Sequence, residues 1–183
     1  MNILKTIKII APGIRYDLSK PLLKMFDEAI KGDTLYLNYS YLYDIDKDFF
    51  DKEEAFKYSI NKIKEVDLSK YNEIIFIGKS IGTYISGRLI QELNLQRAKF
   101  ICLTPLDISL GFLRQTDYIV YGTKDKYLSK EGRDFLKYMF VNLSIIDDAN
   151  HRLEVGDEEK NRKILEQIKL EGLTYLDSSN YME

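Results

Sequence analysis

The chain has 183 residues, of which 45% are hydrophobic and 13% aromatic, and its formal net charge is -2. This length and apolar content predict one compact domain over residues 1–183. With no basic patch, the lysines are expected to form a solvated face and nucleic-acid binding is excluded. Cys102 is the only cysteine and His151 the only histidine, so neither an internal disulfide nor a zinc site is expected.

The first part of the chain predicts two strand–helix units. Lys5 and Lys8 interrupt its opening apolar stretch, so we expect no signal peptide, no membrane span and a cytoplasmic protein. The predicted strands are residues 6–11 and 34–39, and a loop rich in Tyr and Asp occupies residues 40–48. The predicted helices have apolar faces at Leu22, Leu23, Phe26, Ala29 and Ile30, closed by Gly32, and at Phe56, Ile60 and Ile63.

Residues 74–85 predict a strand, a sharp turn and a helix. Four consecutive β-formers enter the pattern Gly78-Lys79-Ser80-Ile81-Gly82, and apolar residues leave it at helical spacing. In a G-x-S-x-G turn the middle residue is strained and exposed at the top of a sheet, because the two glycines remove Cβ atoms that would collide with the backbone. Ser80 is therefore the predicted nucleophile.

The same letters also match the end of a phosphate-binding loop, G-x-x-x-x-G-K-[ST]. The first glycine of that loop would fall at position 73, which is Glu73. A carboxylate has the wrong charge to face phosphate, and the strand-forming residues 74–77 cannot curve into a nest of N–H groups. We therefore favour the nucleophile turn.

Three further strands are predicted after this turn, at residues 99–103, 117–121 and 141–146. Between the first two, residues 106–115 are too short for a long helix. Helical patterns follow the other two, at Leu128, Phe135, Leu136 and Met139 and over residues 155–170. Strands that alternate with helices predict an α/β protein with a mostly parallel sheet of about six strands, covered by helices on both faces. In such sheets the ligand site lies beyond the carboxyl ends of the strands.

A serine hydroxyl needs a neighbouring base, and the base needs a third group that holds its tautomer. His151 follows the last predicted strand and is the predicted base, while Asp125 follows the preceding strand and is the predicted acid. Asp147 and Asp148 share a loop with His151 and stay open as alternatives. Asp117 is a weaker candidate because it precedes its strand.

Other site residues are expected at the same edge of the sheet. The oxyanion donors are predicted to be the backbone N–H groups of Ile81, which follows the nucleophile, and of Ile14, in the loop after the first strand. The residues expected to contact substrate are Gly13, Tyr39, Tyr41 and Tyr127. No metal and no organic cofactor are expected.

These motifs resemble the α/β-hydrolase superfamily and, within it, the small lid-less bacterial hydrolases related to the dienelactone-hydrolase group. The matching segments are residues 78–82 (the elbow), 122–125 (the G-x-x-D acid turn), 150–154 (the histidine loop) and 38–41 (a segment after an early strand). The chain departs from the family pattern with Pro12-Gly13 where His-Gly is common, and with Thr83 where a further glycine is frequent. The resemblance implies a compact α/β-hydrolase fold without a lid domain.

Residues and resemblance together predict a serine hydrolase that cleaves a small-molecule carboxylic ester or thioester through an acyl-enzyme. Amide cleavage and acyl transfer use the same constellation. The alternative from another class is a non-catalytic α/β-hydrolase-like binding protein that contacts its ligand through the Tyr-rich loop. The sequence leaves the oligomeric state open.

Overall fold

The structure, a computed structural model, describes residues 5–178. A six-stranded sheet forms its centre, and every strand pair in that sheet is parallel. Its order is β2-β1-β5-β6-β7-β8, with β1 (Thr6–Ala11), β2 (Asp33–Tyr36), β5 (Glu73–Lys79), β6 (Lys99–Leu103), β7 (Tyr118–Gly122) and β8 (Leu143–Ile146). A separate antiparallel hairpin consists of β3 (Tyr43–Asp44) and β4 (Phe49–Phe50). The predicted α/β architecture with a parallel sheet of about six strands is confirmed.

Within the described residues, five helices cover the two faces of the sheet. They are α1 (Pro21–Ala29), α2 (Lys52–Lys64), α3 (Ile81–Glu92), α4 (Lys130–Met139) and α5 (Glu158–Ser178), and short 3-10 helices occupy Ser40–Leu42, Leu68–Lys70 and Asp107–Phe112. Apolar residues of α1 and α5 share one core cluster with the sheet, and those of α2, α3 and α4 share the other. No helix within residues 5–178 combines the length and the apolarity needed to cross a membrane.

The central strands read as unbroken apolar runs because both of their faces are buried. In β5, Phe76 packs into the cluster with α2, α3 and α4, whereas its neighbours Ile75 and Ile77 pack into the cluster with α1 and α5. The same alternation places Phe100 and Ile101 of β6 on opposite faces. The carboxyl ends of these strands meet at one edge, where the loops with the predicted site residues lie.

Several predicted boundaries differ from those in the structure. The strand predicted to reach residue 39 ends at Tyr36, although Leu37 still donates a hydrogen bond to the Ile10 carbonyl, because the chain then turns into a 3-10 helix. Residues 40–48, predicted as a loop, contain that turn and most of the β3–β4 hairpin. Helix α5 continues eight residues beyond the predicted 170, because Tyr175 and Leu176 are buried against the sheet.

The expectation that the lysines form a solvated face is wrong for three strand residues, Lys8, Lys79 and Lys99, which are 3%, 1% and 9% exposed. Each amine is held by polar partners. Lys8, for example, donates to the backbone carbonyl and the carboxylate of Asp27, both at 2.6 Å. Burial of an ammonium is tolerated only with such compensation, so the buried position of these lysines depends on their polar partners.

Candidate active site

Ser80 occupies a sharp turn between β5 and α3. Its φ of 56° and ψ of -122° are unusual for a residue with a side chain, and such backbone strain costs on the order of 1–3 kcal/mol. Two hydrogen bonds fix the turn: the Ser80 N–H donates to the Leu103 carbonyl at 3.0 Å, and the Thr83 N–H donates to the Ser80 carbonyl at 2.9 Å. The half-buried side chain thus lies at the carboxyl edge of the sheet.

The glycines on either side of Ser80 are required by close packing. A Cβ on Gly82 would overlap the carbonyl oxygen of Ala11, at the end of β1, and a Cβ on Gly78 would lie 2.7 Å from the Gly82 carbonyl oxygen. Helix α3 therefore begins in direct contact with β1. Thr83, at the position where the family often has glycine, is buried, and its hydroxyl donates to the Ser80 carbonyl at 2.6 Å.

Ser80, His151 and Asp125 form a continuous hydrogen-bonded line. The Ser80 Oγ lies 2.8 Å from His151 Nε2, and His151 Nδ1 lies 2.7 Å from Asp125 Oδ2. With the imidazole proton on Nδ1, the histidine donates to Asp125 and accepts from the serine hydroxyl. The Asp125 side chain is fully buried and also accepts from the Tyr127 N–H at 2.9 Å. This geometry is that of a nucleophile, a base and an orienting acid.

The other carboxylates considered from the sequence lie elsewhere. Asp148 is exposed and pairs with Lys124 at 2.9 Å, and Asp117 precedes β7 and binds Arg114. Asp147 is exposed as well. Among these four candidates in the described part of the chain, Asp125 is the one that bonds to His151.

The environment of His151 favours its neutral, basic form. Burial lowers the pKa of the imidazole below its ordinary value, and the nearby positive charge of Lys79 acts in the same direction. The hydrogen bond and the charge of Asp125 oppose this shift without cancelling it. At neutral pH the ring is therefore uncharged, and its Nε2 can accept a hydrogen bond from the Ser80 hydroxyl.

Two backbone N–H groups are available as oxyanion donors. Ile81 is the first residue of α3, where N–H groups have no intrahelical partner. Ile14 follows Gly13, whose backbone lies against Ser80: a Cβ on Gly13 would be 3.2 Å from the Ser80 Cβ. Within residues 5–178, the N–H groups of Ile81 and Ile14 make no hydrogen bond to protein.

The residues predicted to contact substrate have different environments. Tyr127 is 54% exposed and its ring centroid lies 4.7 Å from that of His151, so it lines the rim beside the base. Tyr41 is 67% exposed and packs edge-on against Tyr58, at 6.0 Å between ring centroids. Tyr39 is only 1% exposed, and its hydroxyl donates to the Pro12 carbonyl at 2.7 Å. Tyr39, which the sequence predicted to contact substrate, is instead buried and holds the loop that contains Pro12.

Sequence reasoning missed Lys79. Its amine donates to the backbone carbonyl of His151 at 2.8 Å and to the Thr104 hydroxyl at 2.5 Å. A signal was present, because strand alternation carries the buried face from Ile75 through Ile77 to position 79. Because lysine is polar and occupies a variable position of the G-x-S-x-G motif, its burial was not predicted.

A separate cleft of about 310 Å³ lies behind the histidine loop, between the end of β8 and α5. Asp147 and Asp148 are among its lining residues, whereas Ser80, Asp125 and His151 are not. Within residues 5–178 no group of three or more His, Cys, Asp or Glu side chains is arranged to hold a metal ion. The candidate site, formed by Ser80, Asp125 and His151, therefore lies outside this cleft.

Comparison with protein-family models and with curated proteins gives no match to this chain. Among solved structures, the chain is similar to an α/β serine hydrolase homologue from Coxiella burnetii, with 15% identity and a TM-score of 0.64, over 92% of this chain and 86% of the other. A lid-less α/β serine hydrolase from Xanthomonas campestris gives 14% identity and a TM-score of 0.62, over 94% and 84%.

Est1E from Butyrivibrio proteoclasticus, solved with ferulic acid bound, is also similar, with 14% identity and a TM-score of 0.58, over 94% of this chain and 92% of the other. At such identities the likeness shows the fold alone. Over residues 5–178 the chain has the α/β-hydrolase fold that its motifs predicted, and one of the similar structures is described as lid-less. The finer resemblance to the dienelactone-hydrolase group stays a prediction.

Proposed function

We propose that the chain is a serine hydrolase that cleaves small carboxylic esters or thioesters. The observation that carries this proposal is the hydrogen-bonded line from Ser80 through His151 to Asp125, with distances of 2.8 and 2.7 Å. The α/β-hydrolase fold supports it by analogy, because enzymes of this fold place a nucleophile, an acid and a histidine at the same strand ends. Fold alone does not determine function, so the proposal depends mainly on the geometry of the three side chains.

In the proposed mechanism, Ser80 Oγ attacks the carbonyl carbon of the substrate while His151 Nε2 takes the hydroxyl proton. Asp125 holds the imidazole through Nδ1 and stabilises the imidazolium that forms. The negative charge on the former carbonyl oxygen faces the N–H groups of Ile81 and Ile14. His151 then gives its proton to the leaving alcohol or thiol, and water, activated by the same base, releases the acid from the acyl-serine.

The exposure of the rim favours small substrates. Ile14 and Tyr127 are 37% and 54% exposed, so the acyl group would lie on an open surface and not in a closed tunnel. Est1E, which has the same fold, binds ferulic acid, a compact carboxylic acid. We therefore expect p-nitrophenyl acetate and butyrate to be hydrolysed faster than long-chain esters, and a rate that increases with chain length would contradict the proposed rim.

Covalent labelling tests the proposal directly. A fluorophosphonate should form an adduct on Ser80, located by peptide mass mapping, because activation by His151 makes this hydroxyl far more reactive than other serines. Ser80→Ala should lose both the adduct and ester hydrolysis while keeping its thermal unfolding temperature. An adduct on another serine, or none in folded protein, would favour a non-catalytic binding protein.

A further inference from the structure

Lys79 places an amine inside the protein, in hydrogen-bond contact with the backbone of His151. The residue is 1% exposed and immediately precedes Ser80. Its Nζ donates to the His151 backbone carbonyl at 2.8 Å and to the Thr104 hydroxyl at 2.5 Å. One side chain therefore connects the turn at Ser80 with the end of β6 and with the histidine loop. Lys79 and His151 are 72 residues apart in the sequence.

The surroundings can accept either protonation state of this amine. A neutral amine has two N–H groups, and both can be used by the Thr104 hydroxyl and the His151 carbonyl. An ammonium has a third N–H group, and the face of the Tyr16 ring lies 5.0 Å from Nζ. Lys79 can therefore keep its hydrogen bonds to the Thr104 hydroxyl and the His151 carbonyl after it loses a proton.

Charged and titratable groups approach Lys79 from several elements. They are Asp125 after β7, His151, Arg152 and Glu154 in the histidine loop, and Cys102 in β6. Burial is the largest influence and, despite the opposing charge of Asp125, lowers the pKa of Lys79 to about 7. The charge beneath the site therefore changes in the pH range where a histidine base works.

We propose that Lys79 is a positioning residue for His151: its amine holds the backbone of the histidine loop, and its protonated form opposes the imidazolium that forms during the reaction. The role in turnover rests on the function proposed above. The influence of Lys79 on the imidazole itself does not, because it is a property of the folded protein.

Two effects on catalysis follow. The imidazolium and an ammonium are like charges in a desolvated site, so the enzyme with neutral Lys79 should turn over faster than the enzyme with charged Lys79. Activity should consequently decrease as the pH falls through about 7, before His151 itself takes a proton. Removing the amine should also loosen the histidine loop, and small misplacements of a catalytic group cost about 10- to 100-fold in rate.

The test compares Lys79→Met with Lys8→Met. Lys8 is a matched control because it is also a buried strand lysine, 3% exposed, but it binds Asp27 on α1. Because the chain has a single histidine, its imidazole resonances report the pKa of His151 without ambiguity. We expect this pKa to rise in Lys79→Met and to stay at the wild-type value in Lys8→Met.

Kinetics provide the second readout. Lys79→Met should lower kcat about 10-fold or more and lose the ionisation near 7 from its pH profile, whereas Lys8→Met should keep both. A His151 pKa that is unchanged or lower in folded Lys79→Met would overturn the proposal, as would a variant with the wild-type rate and pH profile.

If Lys79→Met does not fold, the proposal can still be tested on the unmodified protein. One lysine should titrate near pH 7 in NMR spectra of protein labelled at the lysine Cε, and the His151 resonances should respond to that same step. If no lysine titrates below about 9, well under the ordinary value of about 10.4, the proposal is wrong. These spectra need no turnover, so an inactive protein would refute the proposed hydrolase without affecting this result.

Discussion

Gly13 lies close to Ser80: a Cβ built on Gly13 would be 3.2 Å from the Ser80 Cβ and 3.4 Å from the Lys79 carbonyl oxygen. Carbon atoms prefer separations of about 3.5–4.0 Å, so a side chain at position 13 would have to push the two loops apart. A side chain at position 13 would therefore shift Ser80, or the loop that contains Ile14, by a few tenths of an ångström.

Gly13→Ala should reduce kcat about 10- to 100-fold, because displacing the oxyanion donor by a few tenths of an ångström weakens the stabilisation of the transition state. Stability should change little, since Gly13 does not have a positive φ. Steady-state kinetics and thermal unfolding of the same preparation would check both parts. A kcat equal to that of the wild type would remove the 12–14 loop from the proposed oxyanion hole.

The acid is tested by a matched pair of amide substitutions. Asp125→Asn should lower kcat by about 10⁴-fold, because the amide can hold the wrong imidazole tautomer. Asp148→Asn should cost less than about 2-fold, because the exposed Asp148 carboxylate pairs with Lys124 and the backbone hydrogen bond to Thr123 is kept in the variant. If Asp148→Asn were the more damaging change in folded protein, the acid would have to come from the histidine loop itself.

The pH dependence should reflect the buried imidazole. Its active form is neutral, and burial lowers its pKa, so the steep loss of kcat/KM on acidification should begin below the ordinary histidine value of about 6.5. The unfolded chain binds a proton at a higher pH than the folded chain. The free energy of unfolding should accordingly decrease as the pH falls from about 6.5 towards the folded pKa, as urea titrations at pH 7 and 5.5 would measure. A limb centred above 6.5 that is also present in Lys79→Met, which lacks the Lys79 ionisation, would contradict the assignment to His151.

Gly82→Ala should be strongly destabilising, because its methyl group would overlap the Ala11 carbonyl oxygen. We expect a loss of about 3 kcal/mol or more, at the upper end of the range for overpacking, measured by chemical unfolding. Gly111→Ala is the control, since a Cβ at Gly111 meets no atom within 4 Å, and it should unfold like the wild type. Equal stability of the two variants would show that α3 does not contact β1 as closely as described.

The hydroxyl of Tyr39 should matter for stability as well as for activity. Tyr39→Phe leaves the Pro12 carbonyl without its buried donor, at a cost of about 1–3 kcal/mol, and should lower kcat through the oxyanion loop. Tyr41→Phe is the comparison, because Tyr41 is 67% exposed, and it should change neither quantity. Should Tyr41→Phe alone raise KM, Tyr41 contacts substrate as the sequence predicted.

Local sequence patterns were sufficient for the fold and for the convergence of Ser80, Asp125 and His151. Each of these residues lies in the turn or loop that follows a strand, and the carboxyl ends of parallel strands share one edge, so strand order brought them together. Their catalytic role stays a prediction. Asp125 could be preferred over Asp148 for the same reason, since it follows the neighbouring strand.

Long-range packing could not be predicted from the same patterns. Tyr39 and Tyr41 belong to one tyrosine-rich segment, yet Tyr39 is buried and Tyr41 is exposed, because the chain turns into a 3-10 helix between them. Lys79 needs the Thr104 hydroxyl and the His151 carbonyl to be buried, and both partners come from distant loops. The residues next to Lys79 in the sequence do not indicate which distant groups it contacts.

The hydrogen bond between Ser80 and His151 joins residues 71 positions apart, and β8, which leads to His151, is an edge strand of the sheet. Contacts of such sequence separation form late, because closing the intervening chain costs entropy before any contact repays it. During synthesis the nucleophile turn would leave the ribosome well before its base. The time at which Ser80 becomes reactive towards a fluorophosphonate would then report when β8 docks onto the sheet. A chain that ends before residue 151 would contain an unreactive Ser80.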